Sequence, residues 1–149
     1  MSSRGFEVAK GFDEQLIALP TRKTTYSAGY DISALGDYII KPMQMVKVST
    51  GLKAYMLPDE FLGVHIRSSI AIKHSIMLAN AQGIIDSDYY QNPDNDGHII
   101  IALLNMGEQD FIIKNGERIA QGIFYKYLTI DNEISPSEKR VAGVGSTGK

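Results

Sequence analysis

Apolar residues along the chain fall in short runs separated by clusters of turn-forming residues. The runs are rich in Ile, Val and Tyr, and they predict β-strands at 39–40, 45–49, 52–55, 61–67, 99–104, 111–113 and 119–127. Only Ser68–His74 predicts a helix, of one or two turns with a serine as its N-cap. Many short strands at even spacing favour an all-β sandwich or barrel, the jelly roll among them.

Three turn signals separate the predicted strands. Pro58 brings a fixed φ to the turn at 57–60. The pair Asn115-Gly116, between two apolar runs, predicts a type I′ hairpin turn, and Asp96-Gly97 predicts the same turn before the most apolar run. These signals delimit strands within one unit and mark no boundary between domains.

Composition narrows the class of protein. A chain of 149 residues with 44% hydrophobic and 21% charged residues has room for one ordinary core. The net charge of −2 argues against direct nucleic-acid binding, and the absence of cysteine removes disulfides and thiolate chemistry. The longest apolar run, 99–104, is far too short to cross a bilayer, and no apolar signal segment follows Met1. We therefore expect a cytoplasmic protein with no membrane partner.

The last segment, 129–149, has few apolar residues and a Gly-rich end, and it predicts an arm that leaves the core and is mobile by itself. Residues 143–149 match the first positions of a P-loop, but no strand precedes them and no helix can follow. Glycine N–H groups and the hydroxyls of Ser146 and Thr147 could still bind an anion. The alternative is a flexible, solvated terminus.

Two segments carry candidate catalytic chemistry. Asp86 follows an apolar stretch, so we expect it at the end of a buried strand, where desolvation can tune a general base; the alternative is a carboxylate that caps a turn. Arg67-Ser68-Ser69 ends a strand and begins a helix, which suits a phosphate, although serine is also an ordinary cap.

Several other polar residues allow two interpretations. Asp31 could hold a hydrated Mg²⁺ or stabilise a turn, and Arg118 and Gln121 could be functional or an ordinary exposed pair. The three histidines lack metal-site spacing, so a structural or surface role is expected for His65, His74 and His98. The Asp pairs at 86/88 and 94/96 lack the glutamate that a calcium loop requires.

The order of these segments resembles that of the trimeric deoxyuridine triphosphate nucleotidohydrolases (dUTPases). The resemblance extends from about residue 19 to residue 149 and rests on five motifs: 28–34, 67–69, 80–89, 116–121, and Arg140 with 145–148. It implies a jelly-roll protomer over 1–128, an arm over 129–149, and a homotrimer whose three sites each draw on all three chains. It also implies Mg²⁺-dependent hydrolysis of dUTP to dUMP and pyrophosphate, which lowers dUTP and supplies dUMP for thymidylate synthesis.

The resemblance assigns roles residue by residue. Asp86 matches the general base, and Tyr89 matches the residue that packs on the deoxyribose. The uracil readers correspond to Asn80, Gly83 and Ile85. Asp31 matches a carboxylate that orders the metal through water, the ion being held mainly by the phosphates. Phosphate contacts are implied for Arg67, Ser68, Ser69, Gln121, Arg140, Gly145, Ser146 and Thr147.

Two features depart from the family pattern. Val144 stands where an aromatic residue usually stacks on uracil, which predicts weaker closure of the arm. The segment 90–97 is several residues longer than the usual turn, and it could lie beside the site or on its rim.

Three alternatives compete with the dUTPase interpretation. A dCTP deaminase would need a glutamate on the strand at 98–104, which has no carboxylate. A dUTP-binding sensor of the same fold, with a regulatory protein partner, remains the second interpretation. A purely structural trimer would leave Asp86 and the other motif residues without a purpose, so it ranks last.

Overall fold

The computed structural model describes residues 2–134, 136 and 140, most of which lie in short β-strands and the turns between them. The strands are β1 (Gly5–Val8), β2 (Tyr30–Ser33), β3 (Tyr38–Ile40), β4 (Met45–Ser49), β5 (Leu52–Tyr55), β6 (Glu60–Ile66), β7 (Ile76–Leu78), β8 (Gly83–Asp86), β9 (Ile100–Asn105), β10 (Phe111–Ile113) and β11 (Arg118–Lys126). The helix α1 (Ser68–His74) lies between β6 and β7, and 3₁₀ turns occupy Glu14–Leu16 and Ser87–Tyr89. Among these residues no helix has the length and apolar character that a membrane span needs.

The strands pair antiparallel in four sheets. The largest sheet has the order β2-β11-β6-β8, the second has the order β4-β9-β7, and β1-β5 and β3-β10 form two-stranded pairs. Neighbours within a sheet are distant in sequence, as expected of a jelly roll rather than a simple meander. The all-β jelly-roll prediction is therefore confirmed.

One hydrophobic core lies between the two larger sheets. Side chains alternate between the core and the outside along β9, whose burial switches at every position. The fully buried large side chains come from both sheets and from the two-stranded pairs: Ile32, Ile40, Val48, Leu52, Leu62, Ile76, Ile99, Leu103, Ile113 and Ile119. Burying each contributes about 1.5–3 kcal/mol. This core fixes the outer faces on which the site residues lie.

Most of the predicted strands are observed. The bounds of β4, β5 and β10 agree to the residue, and β6, β9 and β11 are displaced by one residue. The strands β1, β2 and β7 were not predicted. The predicted helix has the expected bounds, but its serine cap is wrong. Arg67 occupies the N-cap and its side chain makes no capping hydrogen bond.

The two predicted type I′ turns have different outcomes. Asp96 and Gly97 both have positive φ, 62° and 92°, and the N–H of His98 donates to the carbonyl of Asn95 at 3.1 Å, so this turn is confirmed. The hairpin at 115–116 is wrong. Only Gly116 is left-handed there, with φ 86°, as in a type II turn, and β10 pairs with β3 while β11 pairs with β2 and β6.

Candidate active site

Asp86, the predicted base, is the last residue of β8. Among the described residues, β8 pairs with β6 alone, and Asp86 lies opposite Phe61. The expectation of a buried strand is wrong, because β8 is an edge strand, alternating exposed and half-buried residues, and the Asp86 side chain is 52% exposed. An edge position leaves the carboxylate open to water and leaves backbone groups of β8 free to pair with a ligand.

Arg140 lies directly on this carboxylate. Its Nη2 donates to Asp86 Oδ2 at 2.7 Å, and its Nε donates to Asp88 Oδ1 at 2.7 Å. The guanidinium carbon is also 5.9 Å from the centre of the Tyr89 ring. The two carboxylates thus occupy guanidinium donors of the kind that a phosphate would bind.

Tyr89 lies in the 3₁₀ turn after β8 and is 8% exposed. Its hydroxyl donates to the backbone carbonyl of His98 at 2.6 Å, and burial raises the pKa of the phenol. Asn80 is exposed in the turn before β8, whereas Gly83 and Ile85 are half-buried within β8. The residues assigned to uracil, sugar and water activation therefore cluster around one strand.

A second polar cluster lies at the start of α1. Arg67 Nη1 donates to the carbonyl of Arg118 at 3.1 Å, and Arg118 Nη1 donates to Asp31 Oδ2 at 3.1 Å. Ser68 and Ser69 are exposed beside Arg67. A cleft of about 680 Å³ adjoins the cluster, with the cationic side chains Arg67, Lys73 and Arg118 in its lining. These groups can bind an anion.

Gln121 lies in the middle of the largest sheet, paired with Asp31 on β2 and with His65 on β6. Gly29 permits this position, because a Cβ at residue 29 would stand 2.2 Å from Gln121 Oε1. The motifs 28–34 and 116–121 contain these two residues, but the sequence gives no sign of their contact.

The base and the phosphate cluster lie far apart within one chain. Cross-strand pairing places Asp31, Gln121 and Asp86 on the same face of the sheet. However, Asp86 is opposite Phe61, and Arg67 lies six residues further along the chain, directly after β6. At about 3.3 Å per residue, this separation is roughly 20 Å. A single chain does not bring these residues together.

The donor set suits a metal ion held mainly by its substrate. The part of the chain that the structure describes contains no group of three or more His, Cys, Asp or Glu side chains able to hold a metal. Asp31 is a single carboxylate already paired with Arg118. Such a residue fits a hydrated Mg²⁺ on phosphate oxygens, which it would contact through water.

The segment 90–97 packs on its own chain. Asp96 Oδ2 accepts from Lys53 Nζ at 2.7 Å, and the Tyr90 hydroxyl donates to Glu7 Oε1 at 2.5 Å. Asn92 and Asn95 of this segment also form hydrogen bonds with Tyr89. The sequence did not predict these contacts, although the run Asn-Pro-Asp-Asn-Asp-Gly signals an ordered turn. Val144, Gly145, Ser146 and Thr147 lie outside the described residues.

The fold and the site together define a jelly-roll protein with a carboxylate and an anion site on one sheet face. The model of the dUTPase family matches residues 15–148. The chain is 42% identical to the deoxyuridine 5′-triphosphate nucleotidohydrolase of Lactococcus lactis subsp. lactis (strain IL1403) over 149 residues, 99% of each chain. It is 40% identical to the protein of that name from Treponema denticola over 136 residues, 87% of this chain and 90% of the relative.

A solved structure supports the same family assignment. The crystal structure of the dUTPase from Streptococcus mutans superposes with a TM-score of 0.80 at 41% identity, covering 86% of this chain and 99% of that one. The chain belongs to the dUTPase family.

Proposed function

We propose that this protein hydrolyses dUTP to dUMP and pyrophosphate. The observation that carries the proposal is the similarity along the whole chain to a deoxyuridine triphosphate nucleotidohydrolase, with 42% identity over 149 residues. The exposed Asp86 carboxylate on the edge of β8 supports it. The sensor alternative gains nothing from these relatives, whose names describe hydrolysis.

In the proposed mechanism, Asp86 accepts a proton from a water molecule. The water oxygen attacks the α-phosphorus in line, the bond to the bridging oxygen breaks, and pyrophosphate leaves. A positioned base of this kind is worth roughly 10²–10⁴-fold in rate. Asp86 is half-exposed and can meet both the water and the 3′-hydroxyl of the sugar.

Selectivity for dUTP would come from the residues around β8. Asn80 and the free edge of the strand near Gly83 and Ile85 would pair with uracil, and the same donors and acceptors would mispair with cytosine. The ring of Tyr89 would pack on the deoxyribose and leave no room for a 2′-hydroxyl. Its burial suits a rigid wall.

The triphosphate would be held by the cluster at the start of α1 and by Gln121. Arg67 has a fork of donors that matches phosphate oxygens, and the exposed hydroxyls of Ser68 and Ser69 add donors. Arg140 would move from its carboxylates to the phosphates when nucleotide binds. Bound Mg²⁺ would neutralise phosphate charge, and Asp31 would orient its water shell.

The distance between Asp86 and Arg67 supports a homotrimer in which neighbouring chains complete each site. A second chain can place its own phosphate cluster beside Asp86, which one chain cannot do. We further propose that the segment 129–149 closes the site through Gly145, Ser146 and Thr147. Deleting 144–149 would then cripple hydrolysis while leaving the unfolding temperature of the core unchanged. An intact rate would contradict this role.

The decisive experiment is pyrophosphate release with Mg²⁺ from dUTP, dTTP, dCTP and UTP in parallel. Turnover of dUTP alone is the expected result. Binding of dUTP without turnover would instead favour the sensor function, and turnover of dCTP would contradict the assigned base pocket.

A further inference from the structure

The hydroxyl of Tyr89 is held from two sides. It donates to the carbonyl of His98 at 2.6 Å and accepts from Asn95 Nδ2 at 2.8 Å. A phenol that both donates and accepts in this way cannot swing without breaking a hydrogen bond. The ring position therefore depends on residues that follow it in the chain.

Asn95 is itself fixed in orientation. Its Oδ1 accepts from Asn92 Nδ2 at 2.7 Å and from the N–H of Gly97 at 3.0 Å, which leaves Nδ2 to face the phenol. Asn92 Nδ2 also donates to the carbonyl of Tyr89 at 2.8 Å. Because two N–H donors determine which end of the Asn95 amide is oxygen, its donor role follows from the network.

The loop that carries Asn95 is tied to the body of the protein. Asp96 Oδ2 accepts from Lys53 Nζ at 2.7 Å and from the N–H of Lys10 at 2.8 Å. At the other end, Tyr90 donates to Glu7. The additional residues of 90–97 thus form a loop that packs beside Tyr89 and is held at both ends by hydrogen bonds to the rest of the protein.

We propose that Asn95 is a positioning residue that fixes the ring of Tyr89 and thereby sets the discrimination between 2′-deoxyribonucleotides and ribonucleotides. The proposal rests on the proposed function of this site. Steric exclusion of one hydroxyl requires a wall that cannot retreat, and a displacement of about 1 Å is enough to change reactivity strongly. Asn95 acts on the substrate only through Tyr89.

The test compares kcat/KM for dUTP and UTP in the full-length protein and in Asn95→Ala. We expect the dUTP/UTP selectivity to fall about tenfold or more, mainly through a gain with UTP, while kcat for dUTP stays within a few-fold. Asp94→Ala is the matched control, because Asp94 is an exposed neighbour that joins the loop network through its backbone N–H. Its selectivity should equal that of the wild type.

Tyr89→Phe separates positioning from a general effect on the loop and serves if Asn95→Ala does not fold. Removing the hydroxyl should lower selectivity as Asn95→Ala does, and adding Asn95→Ala to Tyr89→Phe should cause no further loss. The proposal would be overturned if the two single variants lost selectivity equally and these losses added up in the double variant. It would also be overturned if both single variants were active and kept wild-type selectivity. A wild-type protein that turns over neither nucleotide would overturn the proposed function and this inference together.

Discussion

At the residue scale, the role of Asp86 can be separated from that of its neighbour. Asp86→Asn keeps the shape of the side chain but cannot accept a proton, so kcat for dUTP should fall roughly 10²–10⁴-fold. The dissociation constant for dUTP should change little. Stopped-time pyrophosphate assays and calorimetric titration with a non-hydrolysable dUTP analogue would measure the two quantities.

Asp88→Asn is the matched control for this prediction. Asp88 binds the same guanidinium of Arg140 at the same distance, 2.7 Å, but has no assigned role in proton transfer. Its kcat should stay within a few-fold of wild type. If both variants lost activity equally, the contact with Arg140 and not the base would explain the effect.

We expect His98 to make the stability of the fold depend on pH. It is buried, and its Nε2 accepts the N–H of Gly51 at 3.0 Å, so the neutral ring is required; burial lowers its pKa below the ordinary 6.5. As the pH falls below 6.5, the unfolded chain binds the proton first, and stability decreases until the folded-state pKa is reached. At pH 5.5 this loss is at most about 1.4 kcal/mol.

The comparison that isolates this effect is thermal or urea unfolding of the wild type and His98→Gln at pH 7.5 and 5.5. The glutamine variant should be less stable at pH 7.5 but should lose less stability between the two pH values. The other histidines are common to both proteins. An identical pH dependence in the two proteins would show that His98 does not cause it.

The sequence predicts candidate site residues where their chemistry is distinctive, and it gives no prediction where a role depends on a contact. Asp86 and Arg67 were recognisable from their motifs. Asn95 was not, because an asparagine in a turn has many ordinary uses and its bond to Tyr89 exists only in the folded loop. The pairing of Arg140 with Asp86 joins residues 54 positions apart and was equally invisible.

At the scale of elements, the loop 90–97 is fastened to β5 by a largely buried ion pair. The side chains of Lys53 and Asp96 are 9% and 20% exposed, and burial, which would raise the pKa of Asp96, is outweighed by hydrogen bonds from Lys53 and Lys10 that lower it. Lys53→Met would leave this carboxylate without its ion-pair partner, although the N–H of Lys10 would still donate to it. We expect a loss of about 1–3 kcal/mol in the free energy of unfolding by urea.

A surface pair provides the matched control. Lys126 and Asp59 are 3.5 Å apart, with side chains 73% and 54% exposed, so Lys126→Met should cost less than about 1 kcal/mol. Adding Asp96→Asn to Lys53→Met should recover part of the loss, because it removes the unpaired charge. Equal effects of the two lysine variants would show that burial of the pair contributes nothing.

Elements with apolar runs closed by turn residues were predictable, whereas β1, β2 and β7 were not predicted. β4 and β5 follow apolar runs closed by turn residues, so their bounds follow from sequence. β1 contributes four residues that become a strand only by pairing with β5. The exposure of β8 could not be predicted either, since an edge strand and a buried one can share the same apolar letters.

At the scale of the whole molecule, the outer face of the largest sheet connects the two halves of the proposed site. Asp86 lies at one end of that face, whereas Asp31 and Gln121 lie toward the other. The motifs alone do not show this separation, because it results from the antiparallel register of β6 and β8. The separation of Asp86 from the phosphate cluster predicts how assemblies that contain two different variant chains should behave.

If each site takes Asp86 from one chain and Arg67 from another, two inactive variants should complement each other. Asp86→Asn and Arg67→Ala chains, each inactive alone, would be co-refolded in equal amounts, and the whole mixture would be assayed without separating the assemblies. Random mixing makes half of the chains competent at each position, so roughly a quarter of the sites regain both groups.

The whole co-refolded mixture should therefore recover about a quarter of wild-type pyrophosphate release. A chain carrying both substitutions, co-refolded with wild type, is the control. Half of the base positions and half of the phosphate positions are again intact, so the same fraction of sites is expected if the two groups come from different chains. If both groups came from one chain, the control would instead retain half of the activity and the complementing mixture would have none. The two mixtures together thus determine whether neighbouring chains share each site, independently of the rate that any one site achieves.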